Sequence, residues 1–258
     1  MKGAKDYSHR ELMAVVFARD LADGERGAAG MNALVPCAAL ALARRLHAPN
    51  LTLCGELSVN PEPDALRVSV TDSRAHRGRE AVESFLDVFA YSHGGLDFWF
   101  HNGLQIDMYG NVNLHAIGSF ERPSLRGPGL GNVSFAVTAD HFYLYPMRHD
   151  ARLFVERVDF VSVPGNLDGP ESKRAAGIST SGPRLCVTPM AVLDFEPRSL
   201  RMRLRSVHAG YAIADVEERT GFELLLAGDV GTTPPPSRLE LETLRSKVDP
   251  LGLLREDD

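Results

Sequence analysis

Apolar residues return at helical spacing near the start of the chain. Leu12, Val15 and Val16 follow Ser8-His9-Arg10-Glu11, a serine–glutamate pair three residues apart that can satisfy each other's free backbone donors. The pattern predicts a helix from His9 to Leu21, stopped by Ala22-Asp23-Gly24. A second helix is expected from Pro36 through the alanine-rich run to Arg44, Arg45 and His47, whose positive end suits the helix dipole. Ala48-Pro49-Asn50 breaks it, and Leu51 to Cys54 reads as a short buried strand. A third helix is expected over 78–91, with Ala81, Phe85, Val88 and Phe89 on one face, followed by a strand at Leu96–Phe100.

From Leu104 to His115 the period changes to two, around a Gly110-Asn111 turn, which predicts a hairpin. Further strands are expected at His141–Tyr145, Leu153–Val155, Val158–Val163, Leu185–Val187, Ala191–Phe195 and Met202–Val207. Helices are expected at Asp215–Arg219 and Ser237–Val248, the latter led in by Pro234-Pro235-Pro236. The Gly- and Pro-rich stretches 123–131 and 164–183 read as loops, because strand-like sequence resumes after each. The result is an α/β chain, strand-rich in its second half, read as one domain over 1–258.

Composition narrows the function classes. A chain of 258 residues that is 44% hydrophobic and 24% charged can bury a full core. A net charge of -6 leaves no basic surface of the kind phosphate backbones require, so nucleic acid is not an expected partner. Cys37, Cys54 and Cys186 are odd in number and lie in apolar surroundings, as reduced cysteines of a cytoplasmic protein do. No apolar run reaches membrane-spanning length, so no membrane partner is expected.

The most informative acid is Glu56, which follows Gly55 just past a buried strand, where open α/β sheets place their ligands. There it can serve as base or nucleophile; the plain alternative is an acid opening a surface loop. Gln105, Asp107, Asn111, Asn113 and His115 cluster in the hairpin, either lining a site or serving the turn itself. Histidines and cysteines show no zinc spacing, and no phosphate loop, dinucleotide fingerprint or serine elbow is present. No metal and no bound cofactor is expected.

Three stretches together resemble the β subunit of class I CoA-transferases of the glutaconate CoA-transferase type. They are Arg44-Arg45-Leu46-His47-Ala48-Pro49-Asn50-Leu51-Thr52-Leu53-Cys54-Gly55-Glu56, Gly103-Leu104-Gln105-Ile106-Asp107-Met108-Tyr109-Gly110-Asn111-Val112-Asn113, and Phe154 to Ser162 with Pro164-Gly165. The resemblance implies a three-layer α/β/α open sheet, mostly parallel, and a separate α subunit in a heterodimer or heterotetramer. It implies an acyl-CoA substrate, coenzyme A being a substrate and not a prosthetic group. Glu56 matches the family's nucleophile, which carries CoA as a glutamyl thioester while it passes between carboxylic acids. Asn32, Asn102 and Gly103 fall where donors to the acyl oxyanion are expected. Gln105, Asn111 and Asn113 fall in the hairpin expected to line the CoA or substrate pocket.

The chain also departs from that pattern. Where the transferases carry Gly-x-Gly-x-Pro, it has Asn32-Ala33-Leu34-Val35-Pro36. Glu56-Leu57-Ser58 replaces Glu-Ser-Gly, and Asn102 stands for a glycine. Similar losses mark a branch of the superfamily that hydrolytically opens a ring in steroid-derived CoA thioesters, which Val207-His208-Ala209-Gly210 and Val248-Asp249-Pro250 also resemble. Three functions therefore stand as expectations: CoA transfer, ring-opening hydrolysis, and a scaffold subunit without chemistry of its own.

Overall fold

The computed structural model describes residues 6–30, 32–54, 57–69, 71–90, 95–129 and 135–255. They fall into two compact units, Met1–Phe100 with Pro234–Asp258, and His101–Thr233.

In the first unit, helix α1 (His9–Asp20) starts at the expected capping box: Glu11 N donates to Ser8 Oγ at 3.0 Å and Ser8 N to Glu11 Oε2 at 2.9 Å. Strand β1 (Arg26–Ala28), helix α2 (Leu34–Leu46) and strand β2 (Thr52–Leu53) make a βαβ unit, in which Gly27 lies beside Leu53 in parallel register. Pro36 sits in the first turn of α2, where its missing N–H breaks no helical bond. Strand β3 (Ser58–Val59) pairs antiparallel with β4 (Ala81–Val82), and a 3-10 turn, Ser73–His76, lies between them. Helix α3 (Phe85–Ala90) and strand β5 (Phe98–His101) follow. Phe98 of β5 lies beside Gly27 in parallel register, and a Cβ at Gly27 would fall 2.1 Å from the Phe98 ring.

The expected helix over 78–91 is thus only its last part. Gly78 takes φ +68°, and Glu80 N and Glu83 N donate to Val59 O and Leu57 O. A ladder to β3 replaces the helical bonds that the apolar spacing suggested.

The second unit opens with strands β6 (Gln105–Asp107) and β7 (Val112–Asn113), the expected hairpin, with Gln105 opposite Asn113 and Ile106 opposite Val112. A second hairpin, β8 (Ala116–Gly118) and β9 (Pro123–Arg126), occupies part of the stretch read as a loop. Helix α4 (Phe135–Thr138), strand β10 (His141–Leu144) and strand β11 (Phe154–Val155) follow, β11 adding to β6 in parallel. Helix α5 (Pro170–Ala175) lies inside the other expected loop. Strands β12 (Gly182–Val187), β13 (Ala191–Phe195) and β14 (Met202–Val207) run as predicted, β12 starting earlier. Helix α6 (Ile213–Glu218) and strand β15 (Leu225–Thr232) complete the unit. Pairing is parallel for β10 with β12 and β14 with β15, and antiparallel for β12–β13–β14.

The strand expected at 158–163 does not form; only Val163 makes a bridge, to Val112. Ser162 N and Val163 N donate to Val112 O at its end, and side chains hold the rest. Asp159 Oδ2 accepts from Gln105 Nε2 at 3.0 Å, and Ser162 Oγ accepts from Leu114 N at 2.7 Å.

The chain ends back in the first unit with helix α7 (Arg238–Thr243) and a π-type turn, Leu244–Val248. Among the described residues no helix is long and apolar enough to cross a membrane.

Candidate active site

The hairpin residues singled out in the sequence do converge, and their amides are fully engaged. Gln105, Asn111 and Asn113 are buried. Gln105 Oε1 accepts from Asn113 Nδ2 at 2.7 Å and from Asp159 N at 3.0 Å. Asn113 Nδ2 also donates to Ala116 O at 2.7 Å, while its Oδ1 accepts from His115 N and Ala116 N. Asn111 Nδ2 donates to Asp107 and to Leu167 O, and its Oδ1 accepts from Gly165 N at 2.9 Å and Leu167 N at 3.0 Å. Burial raises the Asp107 pKa. These side chains stitch the hairpin to 159–167.

Gly103 fits because nothing larger can: an added Cβ would lie 2.3 Å from Val112 Cγ1. Its N–H, an expected oxyanion donor, is already bound by the Oδ1 of Asn102 at 2.8 Å. An acyl oxygen would have to displace that carbonyl. Just before them, His101 is buried, its ring packed edge-on to Phe142 at 5.2 Å, and burial lowers its pKa to about 3. No motif in the sequence pointed to this neutral imidazole.

Asn32 is exposed and takes φ +57°. Asparagine is one of the few residues other than glycine that tolerates this left-handed conformation. Ala33, which caps the 13-residue helix α2, makes no side-chain capping bond.

Gly55 and Glu56 lie outside the described residues, but both flanks are pinned. Cys54 N donates to Gly27 O at 2.9 Å, and Cys54 bridges Val59. Asn60, at φ +47°, returns two bonds to Leu53: its N donates to Leu53 O, and its Oδ1 accepts from Leu53 N. Cys54 and Ser58 line a cavity of about 120 Å³ in the first unit, with an apolar floor that includes Ala28, Leu40, Leu53 and Leu66. Ser58 Oγ lies 2.8 Å from His76 Nδ1 in its wall, and both residues are buried. That pair is 18 residues apart and unreadable before folding. Among the described residues no three His, Cys, Asp or Glu side chains gather in a metal-binding group.

Comparison with known proteins adds a family to this geometry. The family model for coenzyme A transferase matches residues 10–219. The chain is 30% identical over 255 residues to the β subunit of glutaconate CoA-transferase from Acidaminococcus fermentans, covering 95% of this chain and 94% of that one. It is 31% identical over 214 residues to the cholesterol ring-cleaving hydrolase IpdB subunit of Mycobacterium tuberculosis, covering 82% and 83%. The crystal structure of glutaconate coenzyme A-transferase from Acidaminococcus fermentans superposes with a TM-score of 0.86 at 27% identity, over 97% of this chain and 98% of that one.

Proposed function

This chain belongs to the coenzyme A transferase family, as a β-type subunit of a heteromeric enzyme acting on acyl-CoA, and we propose that Glu56 carries the transfer. The three-layer α/β/α fold is the family's. The observation that carries the reading is the near-complete match to a transferase β subunit, in whose sequence order Glu56 follows β2.

The Glu56 carboxylate attacks the thioester carbonyl and expels CoA thiolate, leaving an acyl-glutamyl anhydride. The thiolate attacks the glutamyl carbonyl and expels the donor acid, giving glutamyl-CoA. An acceptor carboxylate then reverses the two steps and leaves as a new thioester, with Glu56 regenerated. Each tetrahedral oxyanion needs donors, the role that the resemblance gives to Asn32, Asn102 and Gly103. Gln105, Asn111 and Asn113 hold the hairpin that follows Gly103 by the bonds described above. A separate α subunit completes the enzyme, and a cytoplasmic setting suits the three cysteines, which form no disulfide.

The test is mass spectrometry of the complex co-purified with its α subunit, after incubation with acyl-CoA and borohydride. Reduction of glutamyl-CoA leaves an alcohol at Glu56; substrate consumed with no such mark refutes covalent transfer. The likeness to a ring-cleaving hydrolase subunit, with asparagine and leucine where the transferases have glycines, favours a second reading in which water opens a ring of the acyl group and Glu56 is a base or a polar contact. Turnover without any acceptor acid distinguishes it.

A further inference from the structure

The cavity beside β2 has a chemistry that the reaction described above does not use. Its floor is apolar, yet four cations line it: Arg44, Arg45, Arg67 and Lys247. No carboxylate lines it among the described residues. Arg67 stands out. Its side chain is only 10% exposed, and its Nε is buried without a hydrogen-bond acceptor. One guanidinium edge is held by the carboxylate of Asp64, which also bonds Arg77 Nη1 at 3.2 Å, and Arg44 lies 4.0 Å from Glu62. Both acids are largely exposed and stand outside the cavity lining. A carboxylate entering the cavity would meet these cations with no competing acid in the lining, and would gain charge-assisted bonds from them. The space, about 120 Å³, accepts on the order of eight heavy atoms.

We propose that this cavity is an acid-binding site, taking a carboxylate at Arg67 and the apolar body behind that carboxylate against Leu40, Leu53 and Leu66. The occupant is either a free carboxylic acid or the far carboxylate of an acyl-CoA; the recognition chemistry is the same. The choice of an acid rests on the transfer reading, whereas the cavity and its lining cations do not.

The experiment uses the assembled enzyme, with hexanoate and hexan-1-ol as probes of equal apolar length, measured by calorimetry. Hexanoate binds at least tenfold more tightly than hexanol to the wild type, and Arg67→Gln brings the ratio to within about twofold. Ala41→Phe fills the cavity from α2 and removes binding of both probes while leaving Arg67 in place, so a fold defect at position 67 does not decide the matter. Equal binding of acid and alcohol by the wild type, or an undiminished preference in the Arg67→Gln enzyme, overturns the site. Kinetics then separate the sources. A KM increase at Arg67→Gln for adipyl-CoA but not hexanoyl-CoA marks the far carboxylate, and a KM increase for the acceptor acid with either thioester marks the free acid. An unchanged KM for all three overturns a role in turnover. An enzyme that turns over no thioester yet binds hexanoate through Arg67 would retain the site and refute the transfer reading instead.

Discussion

At single residues, the site region rests on backbone positions that leave no freedom of substitution. Gly103→Ala places a methyl 2.3 Å from Val112 Cγ1, inside the β6–β7 hairpin. The strand must shift, at a cost of about 1–3 kcal/mol. The expected result is a lowered melting temperature together with loss of turnover; an unchanged enzyme would show that the hairpin has slack the packing denies. Asn32 offers the opposite case. At φ +57°, Asn32→Gly should be neutral or slightly stabilising, and Asn32→Ala should cost about 1 kcal/mol. If alanine is tolerated as well as glycine in chemical denaturation, the left-handed turn is not under strain. Asn32 also shows what residue type alone leaves unread: glycine is missing there, yet the backbone takes a left-handed conformation that glycine also adopts.

At the scale of elements, what could be read from the sequence followed how local the cause was. The capping box at Ser8 and the helix after it needed only neighbours in the chain. The same box reaches further in the fold, because buried Glu11 also accepts from Arg245 Nε at 2.7 Å and Nη2 at 2.9 Å. Glu11→Gln removes half of that bidentate pair's charge and should cost about 2–3 kcal/mol, discounted for the partly exposed arginine. A double-mutant cycle with Arg245→Ala measures it; additive effects would show that the pair is not coupled. Other elements had no local signature. Strand β15 alternates exposed and half-buried residues around Gly228 and Gly231, and it forms because β14 offers an edge. Residues 158–163 carry strand-like sequence, yet Asp159 and Ser162 bond sideways to the hairpin, so no ladder forms. The candidate site divides the same way. The hairpin was legible from order along the chain, whereas Ser58 with His76, and Arg67 in the cavity lining, became visible only once the chain was folded.

On the scale of the whole molecule, the buried imidazoles set how stability depends on pH. Burial lowers the pKa of His101 to about 3 and of His149 to about 4, the latter also influenced by Asp150 and Arg219. In the unfolded chain both return to about 6.5. Below that value the unfolded state takes up protons that the folded state refuses, so stability is full above pH 6.5 and falls as the pH drops towards 4. Each histidine contributes a slope of about 1 kcal/mol per pH unit in that window. His149 is held between Thr188 Oγ1 at 2.9 Å and Thr220 Oγ1 at 3.1 Å, so His149→Gln keeps a polar side chain there while removing the titration. The expected outcome is a chemical-denaturation stability that declines from about pH 6.5 to about pH 5 in the wild type, with roughly half that slope in the variant. Both histidines belong to the unit His101–Thr233. Hydrogen exchange at about pH 5 should therefore rise in β10 and β12 before it rises in α1 and α2. Equal loss of protection in both sets of elements, or a flat stability profile, would mean that these imidazoles find protons or solvent in the folded state, against the burial that isolates them.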